Sequence, residues 1–209
     1  MFAIIYERDR AWFTTAPFSE PEQFVFPEAI GALGCVNVEH EEVILMPRWL
    51  DVGRVTFKYG LGDEFIDVLR TLHMLGRDST RPVTVHGVEI SPRDVVAAVL
   101  PNPAELGDLM HGRTCAGTLV RGLDLDGNPR ESYPYQIVEN EWAMRTFGHQ
   151  AVVWQTAVHP VVARELIAEG IWNGAGVMGP EAFAADPLLD LLAVHGVGWK
   201  LEERTPSLA

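Results

Sequence analysis

Extended and helical patterns follow one another along this chain without a regular βαβ rhythm, and that order limits the folds open to it more than any single motif. "FAIIYE" (2–7) and "AWFTT" (11–15) alternate β-favouring residues around the charged turn Arg8-Asp9-Arg10, which predicts a hairpin. "EQFVF" (22–26) lies between Pro21 and Pro27 as a further extended piece, and "GCVNVEH" (34–40) alternates as a strand. "EEVILMPRWL" follows, with Pro47 placing its second half in doubt as helix. "RVTFKYG" (54–60) predicts one more strand. Next, Phe65, Ile66, Leu69, Leu72 and Leu75 recur at three- and four-residue steps before Gly76, the mark of an amphipathic helix with a glycine stop. "SPRDVVAAVL" (91–100) offers Ser91 as N-cap and Pro92 at the first helical position.

The second half keeps the same irregular mixture. "TCAGTLVRG" (114–122) and "RESYPYQIV" (130–138) flank "LDLDGNP" and predict a hairpin turned at the Asp-Gly and Gly-Asn pairs. "ENEWAMRTFG" (139–148) fits a short helix, and "QAVVWQT" (150–156) is rich in β-formers. "PVVARELIAEG" (160–170) and "DPLLDLLAVHG" (186–196) each start at a proline and stop at a glycine, as helices do, and "WKLEE" closes as a short strand. The expected class is α+β, a mixed sheet with helices packed on one face. One domain over 1–209 is expected, with 1–30 as hairpin and extended lead-in.

Near the end, Gly174, Gly176 and Gly179 spell G-x-G-x-x-G, the spacing that cradles a dinucleotide pyrophosphate. Such a loop needs a strand leading in, a helix N-terminus leading out, and an acid about 20 positions on for the ribose. Here a helical pattern leads in, Pro180 follows the third glycine, and too little chain remains for the acidic strand. A helix-to-helix connection is expected instead, and no cofactor is expected on this chain alone.

Bulk properties exclude other classes. With 29 acidic and 16 scattered basic residues, the net charge of −13 repels phosphate backbones, so no nucleic acid is expected. No apolar run approaches a membrane span, and "MFAIIYERDRAW" lacks the form of a secretory signal. Two cysteines, Cys35 and Cys115, fit a reducing cytoplasm. Cys115, in a strand pattern, is expected to be a buried structural thiol. No pair among the seven histidines has helical metal-ligand spacing. "EHEE" (39–42) is expected to be a solvated turn, since consecutive residues diverge on a regular backbone, and "DLDGN" (124–128) a hairpin tip and not a calcium loop.

The densest polar and aromatic stretch runs over 138–160, with Glu139, Asn140, Glu141, Arg145, His149, Gln150, Trp154, Gln155, Thr156 and His159. Two readings stay open there. A strand meeting a helix start exposes amides that favour an anion such as a substrate carboxylate, or the same residues only cap an ordinary junction.

Several blocks in order, among them "VTFKYGLGDEFIDVLRTLHMLG", "SPRDVVAAVLPNPAELGD", "GRTCAGTLVRG", "GHQAVVWQTAVHPVVARELIAEG" and "GAGVMGPEAF", resemble the C-terminal domain of saccharopine dehydrogenase-like enzymes, the carboxynorspermidine dehydrogenases included. The likeness runs over residues ~20–200. It implies the second half of a two-part oxidoreductase: a Rossmann domain binds NAD or NADP, and the C-terminal domain provides a dimerisation sheet and one wall of the substrate cleft. Hydride transfer then interconverts an imine and a secondary amine. Where relatives often read T-T-G-x-P this chain has Gln155-Thr156-Ala157-Val158-His159-Pro160, and where polyamine-forming members read D-H-Q it has Glu139-Asn140-Glu141. Those departures tilt the expected substrate from a polyamine toward an amino-acid adduct. The resemblance implies substrate-binding roles for Lys58, Gln150, Gln155 and Thr156, a homodimer, and a separate Rossmann chain facing the helical segment 156–209. The competing expectation is a stand-alone ligand-binding or scaffolding homodimer that kept the fold without the chemistry.

Overall fold

The computed structural model describes residues 3–28 and 30–206. The expectations that touch Met1, Phe2, Ala29 and 207–209 lie outside it. The chain divides into two compact units, Met1–Pro101 and Asn102–Ala209, and each is taken by itself. Helices and antiparallel strands mix without a βαβ unit, and the class is α+β as the residue patterns require.

In the first unit, β1 (Ala3–Glu7) and β2 (Ala11–Thr15) form the expected hairpin, and β3 (Glu22–Phe26) pairs antiparallel with β4 (Gly31–Asn37). The expected strand 54–60 is two strands. β5 (Arg54–Val55) pairs β1, whereas β6 (Lys58–Gly60) pairs β4, so the chain crosses between two sheets at Thr56 and Phe57.

Helix α1 (Glu42–Trp49) continues through Pro47, against expectation. A proline inside a helix leaves the carbonyl four residues back without its donor. That carbonyl belongs to fully buried Val43, and the Trp12 indole N–H donates to it at 2.8 Å. The hairpin thus supplies the hydrogen bond that proline removes. After α2 (Asp63–Met74), a small hairpin of β7 (Val83–Val85) and β8 (Val88–Ile90) leads to α3 (Pro92–Val99). Ser91 occupies the N-cap position, but its hydroxyl donates to the Ser79 carbonyl and does not cap.

In the second unit, β9 (Arg113–Gly117) and β10 (Val120–Leu123) both pair with the long central β11 (Pro129–Glu139). They share one register, so they are a single hairpin arm interrupted opposite Pro134, which has no N–H to complete the ladder. Thr118 N–H still reaches the Pro134 carbonyl at 3.0 Å. The tip is the expected turn: the Asp124 carboxylate accepts from the amides of Asp126 and Asn128 at 2.9 and 2.8 Å. β12 (Lys200–Arg204) covers the other edge of β11.

Helix α4 (Asn140–Phe147) stops at Gly148, which sits in the left-handed region at φ 71°. The β-rich segment 150–156 is the first half of one long helix, α5 (Ala151–Ala168), with Pro160 inside it. Buried Ala151, Gln155, Val158, Val162 and Leu166 recur every three or four residues straight through the proline. Val158, Val162 and Leu166 form the larger core cluster with Trp172, Val197 and Leu192 of α6 (Asp186–Val194). Burying that stripe outweighs both the β-preference of Val152 and Val153 and the roughly 3 kcal/mol a mid-helix proline costs. No strand meets a helix near Thr156.

Trp12→Phe keeps the ring and deletes the indole donor, so it should cost about 1 kcal/mol by stranding the Val43 carbonyl. Urea unfolding should show a lower midpoint with an unchanged slope.

Candidate functional site

The expected site residues fall into different places. Lys58 belongs to the first unit, while Gln150, at the N-cap of α5, and Gln155 and Thr156, within α5, belong to the second. At about 100° per residue, Gln155 and Thr156 point to different sides of α5, one buried and one exposed. They do not converge. Gln150 sits at the N-cap position and its Nε2 donates to the Pro103 carbonyl at 2.6 Å. Gln155 is buried and its Nε2 donates to the Gln136 carbonyl of β11 at 3.3 Å. Thr156 alone is exposed. Its backbone carbonyl is the one that Pro160 leaves without a helical donor.

The polar stretch 138–160 is organised by Asn140, which lies 5% exposed at the start of α4. Its Nδ2 donates to the carbonyls of Gly107 and Met110 at 3.0 and 2.8 Å, and its Oδ1 accepts from Ala151 N–H at 3.0 Å. One amide therefore ties the loop before β9 to the first turn of α5 and satisfies an otherwise orphaned helix amide. At this stretch Asn140 caps the junction, whereas the side chains at the N-cap positions, Glu139 and Gln150, make no capping bond. His111 pairs with Glu141 at 3.0 Å, and the carboxyl of Glu141 is held low first by its own backbone amide and then by His111. Trp154 stacks on Phe147, centroids 3.8 Å apart.

A denser charged constellation surrounds Lys58. Its ammonium donates to the Glu20 carbonyl at 2.9 Å and pairs with Glu22 at 3.0 Å. The Arg54 guanidinium meets both oxygens of Glu20, at 2.6 and 2.7 Å, and also pairs with Glu7. Opposite Lys58 in the register stands Asn37, 2% exposed, whose Nδ2 donates to Ser19 Oγ at 3.3 Å while its Oδ1 is buried without a protein partner. The connecting loop holds Phe18 and Glu20 at positive φ, 57° and 49°, an uncommon conformation for side-chain-bearing residues. Glu22 also borders a shallow groove of about 200 Å³ floored by Gly34, Cys35 and Val36 and walled by Asp63, Ile66 and Arg70 of α2. This is an arrangement of fixed cations and carboxylates able to receive a ligand that carries both charges. Of this group the family resemblance implied Lys58 alone; Glu20, Glu22, Asn37 and Arg54, scattered over 35 positions, are brought to it by strand pairing and the loop before β3.

The structure corrects two further expectations. Ligand atoms of His40, Glu41 and Glu42 lie within 4.8 Å of one another, because the backbone entering α1 is irregular there and the three do not diverge. His40 Nδ1 pairs with Glu42, and its ring stacks on Phe57. Cys115 is half-buried, its Sγ 3.7 Å from the Tyr133 hydroxyl; Cys35 is the buried thiol, its pKa raised chiefly by burial. The glycine loop is the expected connection between helices. Gly179 lies at φ −78° and leads into a three-residue 3-10 turn, too short to offer the amides of a helix N-terminus. A Cβ at Gly174 meets the Met178 side chain and not open space. Those residues do not fit a dinucleotide.

Asn140→Ala strands one amide and two carbonyls and should cost about 2 kcal/mol or more, read as a lowered urea midpoint. Glu20 gives a pH prediction. Its folded pKa is lowered, first by Arg54 and further by Asn37 and Lys58, against the raising effect of partial burial. The stabilisation is thus complete above the unfolded value of about 4.3 and is lost as pH falls below it. Wild type should exceed Glu20→Gln in stability near neutrality, and the two curves should converge in acid.

A model of the saccharopine dehydrogenase C-terminal domain family matches residues 6–197, running through both units. The chain is 30% identical over 202 residues to a carboxynorspermidine synthase of Vibrio alginolyticus, covering 96% of this chain and 48% of that one. It is 30% identical over 185 residues to the carboxynorspermidine synthase of Vibrio cholerae, covering 88% and 44%. To a carboxyaminopropylagmatine dehydrogenase of Synechocystis it is 28% identical over 195 residues, covering 93% and 48%. The chain spans about half the length of the curated relatives it matches.

Proposed function

This chain belongs to the saccharopine dehydrogenase C-terminal domain family, and on that premise we propose that it is the substrate-binding and dimerisation half of an NAD(P)-dependent oxidoreductase. The observation that carries the reading is the match to such proteins over nearly the whole of this chain and only half of theirs. The relatives' names turn the expected substrate back from an amino-acid adduct toward a carboxylated polyamine. In this reading NAD(P)H, held on a separate nucleotide-binding domain, supplies the hydride that converts an imine to a secondary amine.

This chain's part is to bind and orient. A carboxylated polyamine carries a carboxylate and several ammonium groups. A surface of net charge −13 concentrates such polycations by long-range attraction. Lys58 is the group proposed to meet the carboxylate, and Glu20 and Glu22 the groups to meet an ammonium. Binding exchanges the Lys58–Glu22 pair for one pair with each end of the ligand, so charge stays balanced throughout. Thr156 offers its hydroxyl and its carbonyl to the solvent side of α5. Gln150 and Gln155, with their amide donors already engaged, position that helix. Among the described residues no helix is long and apolar enough to cross a membrane, and a cytoplasmic setting is part of the proposal.

Calorimetric titration of the chain with carboxynorspermidine, norspermidine and lysine tests the reading. The carboxylated polyamine should bind tightest, and Lys58→Met should weaken it about tenfold, the equivalent of one charge-assisted hydrogen bond at ~1.5 kcal/mol. Equal heats for all three ligands, or none for any, would contradict it. Binding that no nucleotide-binding domain converts to turnover would favour the stand-alone binding module.

A further inference from the structure

One buried acceptor beside Lys58 has no donor among the described residues. Asn37 is 2% exposed; its Nδ2 donates to Ser19 Oγ at 3.3 Å and its backbone N–H to the Ser19 carbonyl at 3.1 Å. Glu20, whose carboxyl is held low chiefly by Arg54, also feels that side-chain amide. Both contacts hold the amide nitrogen toward residues 19–20, because turning the amide over would set its oxygen against a carboxylate. Oδ1 is left on the other side, buried and unbonded. Buried polar atoms are almost always bonded, so this oxygen calls for a donor that its neighbours do not supply.

Strand register identifies its cover. β4 lies between β3 and β6, with Glu22 opposite Cys35 and Asn37 opposite Lys58. Opposite residues, and alternate residues along a strand, share a face, so Glu22, Asn37 and Lys58 project to the same side. The Lys58 ammonium bonds the Glu20 carbonyl and pairs with Glu22, both on the β3 side. With neighbouring strands about 4.8 Å apart, its stem has to cross β4, and the residue it crosses is Asn37. The apolar stem thus lies over the amide, and the Lys58 side chain is itself only 16% exposed.

Moving Lys58 changes the chemistry of this face. In the binding mode proposed above, Lys58 leaves Glu22 for the ligand's carboxylate. It leaves behind a set of acceptors: the Glu22 carboxylate, the Glu20 carbonyl and Asn37 Oδ1. Arg54 stays engaged by Glu20 and Glu7. Carboxylates alone would take any cation. A neutral amide oxygen adds a demand for a proton directed at it, and a ligand without that proton leaves it unpaired. We propose that Asn37 is the specificity-determining residue of this site: its Oδ1 accepts an N–H of the ligand's ammonium, so primary and secondary amines are admitted and quaternary ammonium is refused. The inference rests on the reading in which Lys58, Glu20 and Glu22 bind a zwitterionic ligand, and it names the amine class they admit.

Calorimetric titration of the full chain with carboxynorspermidine and with its N-permethylated, quaternary analogue tests this. Wild type should bind the first more tightly by about tenfold or more. Asn37→Leu, which keeps the bulk and deletes the acceptor, should cut that ratio about tenfold with the circular dichroism unchanged. Lys58→Met should weaken both ligands alike and leave the ratio standing, because its target is the carboxylate. Ser19→Ala removes the partner of Nδ2 and spares Oδ1, so the ratio should persist. Its loss in Ser19→Ala would make Asn37 a prop for the loop and overturn the inference. A wild-type ratio near unity, or an Asn37→Leu ratio equal to that of wild type, would overturn it as well and leave the binding reading intact. Absence of binding by both ligands would overturn that reading and the inference with it. Should Asn37→Leu fail to fold, Asn37→Ser withdraws the oxygen from the site and is held to the same result.

Discussion

The packing of one helix stripe decides the second unit. Ala151, Gln155, Val158, Val162 and Leu166 face inward along α5, and every neighbouring element takes its place from them. Ala151 packs with Val138 of β11 and Ala143 of α4, Gln155 bonds the β11 backbone, and the last three build the core with Trp172 and Leu192. With Val138 on the helix side, the strand alternation puts Glu131, Tyr133 and Tyr135 on the opposite face of β11. That face holds the Arg121–Glu131 pair at 2.7 Å and the stacked tyrosines. An unbroken α5 is what lets Asn140 cap its first turn and hold the loop before β9 in the same stroke.

Both helix prolines were misread for one reason. Local propensity treats a proline as a boundary, and tertiary structure supplies what the proline removes. At Pro47 the substitute is the Trp12 indole, 31 positions away from the carbonyl it serves. At Pro160 the Thr156 carbonyl that loses its helical donor belongs to an exposed residue, where solvent can take the donor's place. The four-three-four spacing of buried residues was written in the sequence across Pro160, and a period count would have found α5 whole. Hairpins, glycine stops and the Asp124 turn were legible because a few adjacent residues determine them. The constellation at Lys58 was not, because Glu20, Glu22, Asn37 and Arg54 come together only through the pairing of β4 with β6 and the bent loop before β3. The splitting of 54–60 between two sheets is equally a matter of register.

Charge links the fold to the proposed activity. An acidic excess draws polycations, and two cations of the first unit, Lys58 and Arg54, are set among carboxylates where a zwitterionic ligand can exchange partners. The glycine loop belongs to a different economy. Gly176 takes a positive φ of 97° to turn the chain between α5 and the next short turn, and Trp172 stacks on Phe183 beneath it. Its spacing imitates a nucleotide loop, while its surroundings are those of a connection between helices. The family relationship and the local geometry therefore point the same way: chemistry by hydride needs a nucleotide that these residues are not shaped to hold.

Titrating NADH fluorescence against the 209-residue chain alone tests that division of labour most directly. No saturable change should appear at any chain concentration. Saturable binding, with the phosphates protected against residues 172–183, would mean that the chain carries its own redox cofactor, and the account would be wrong at its base.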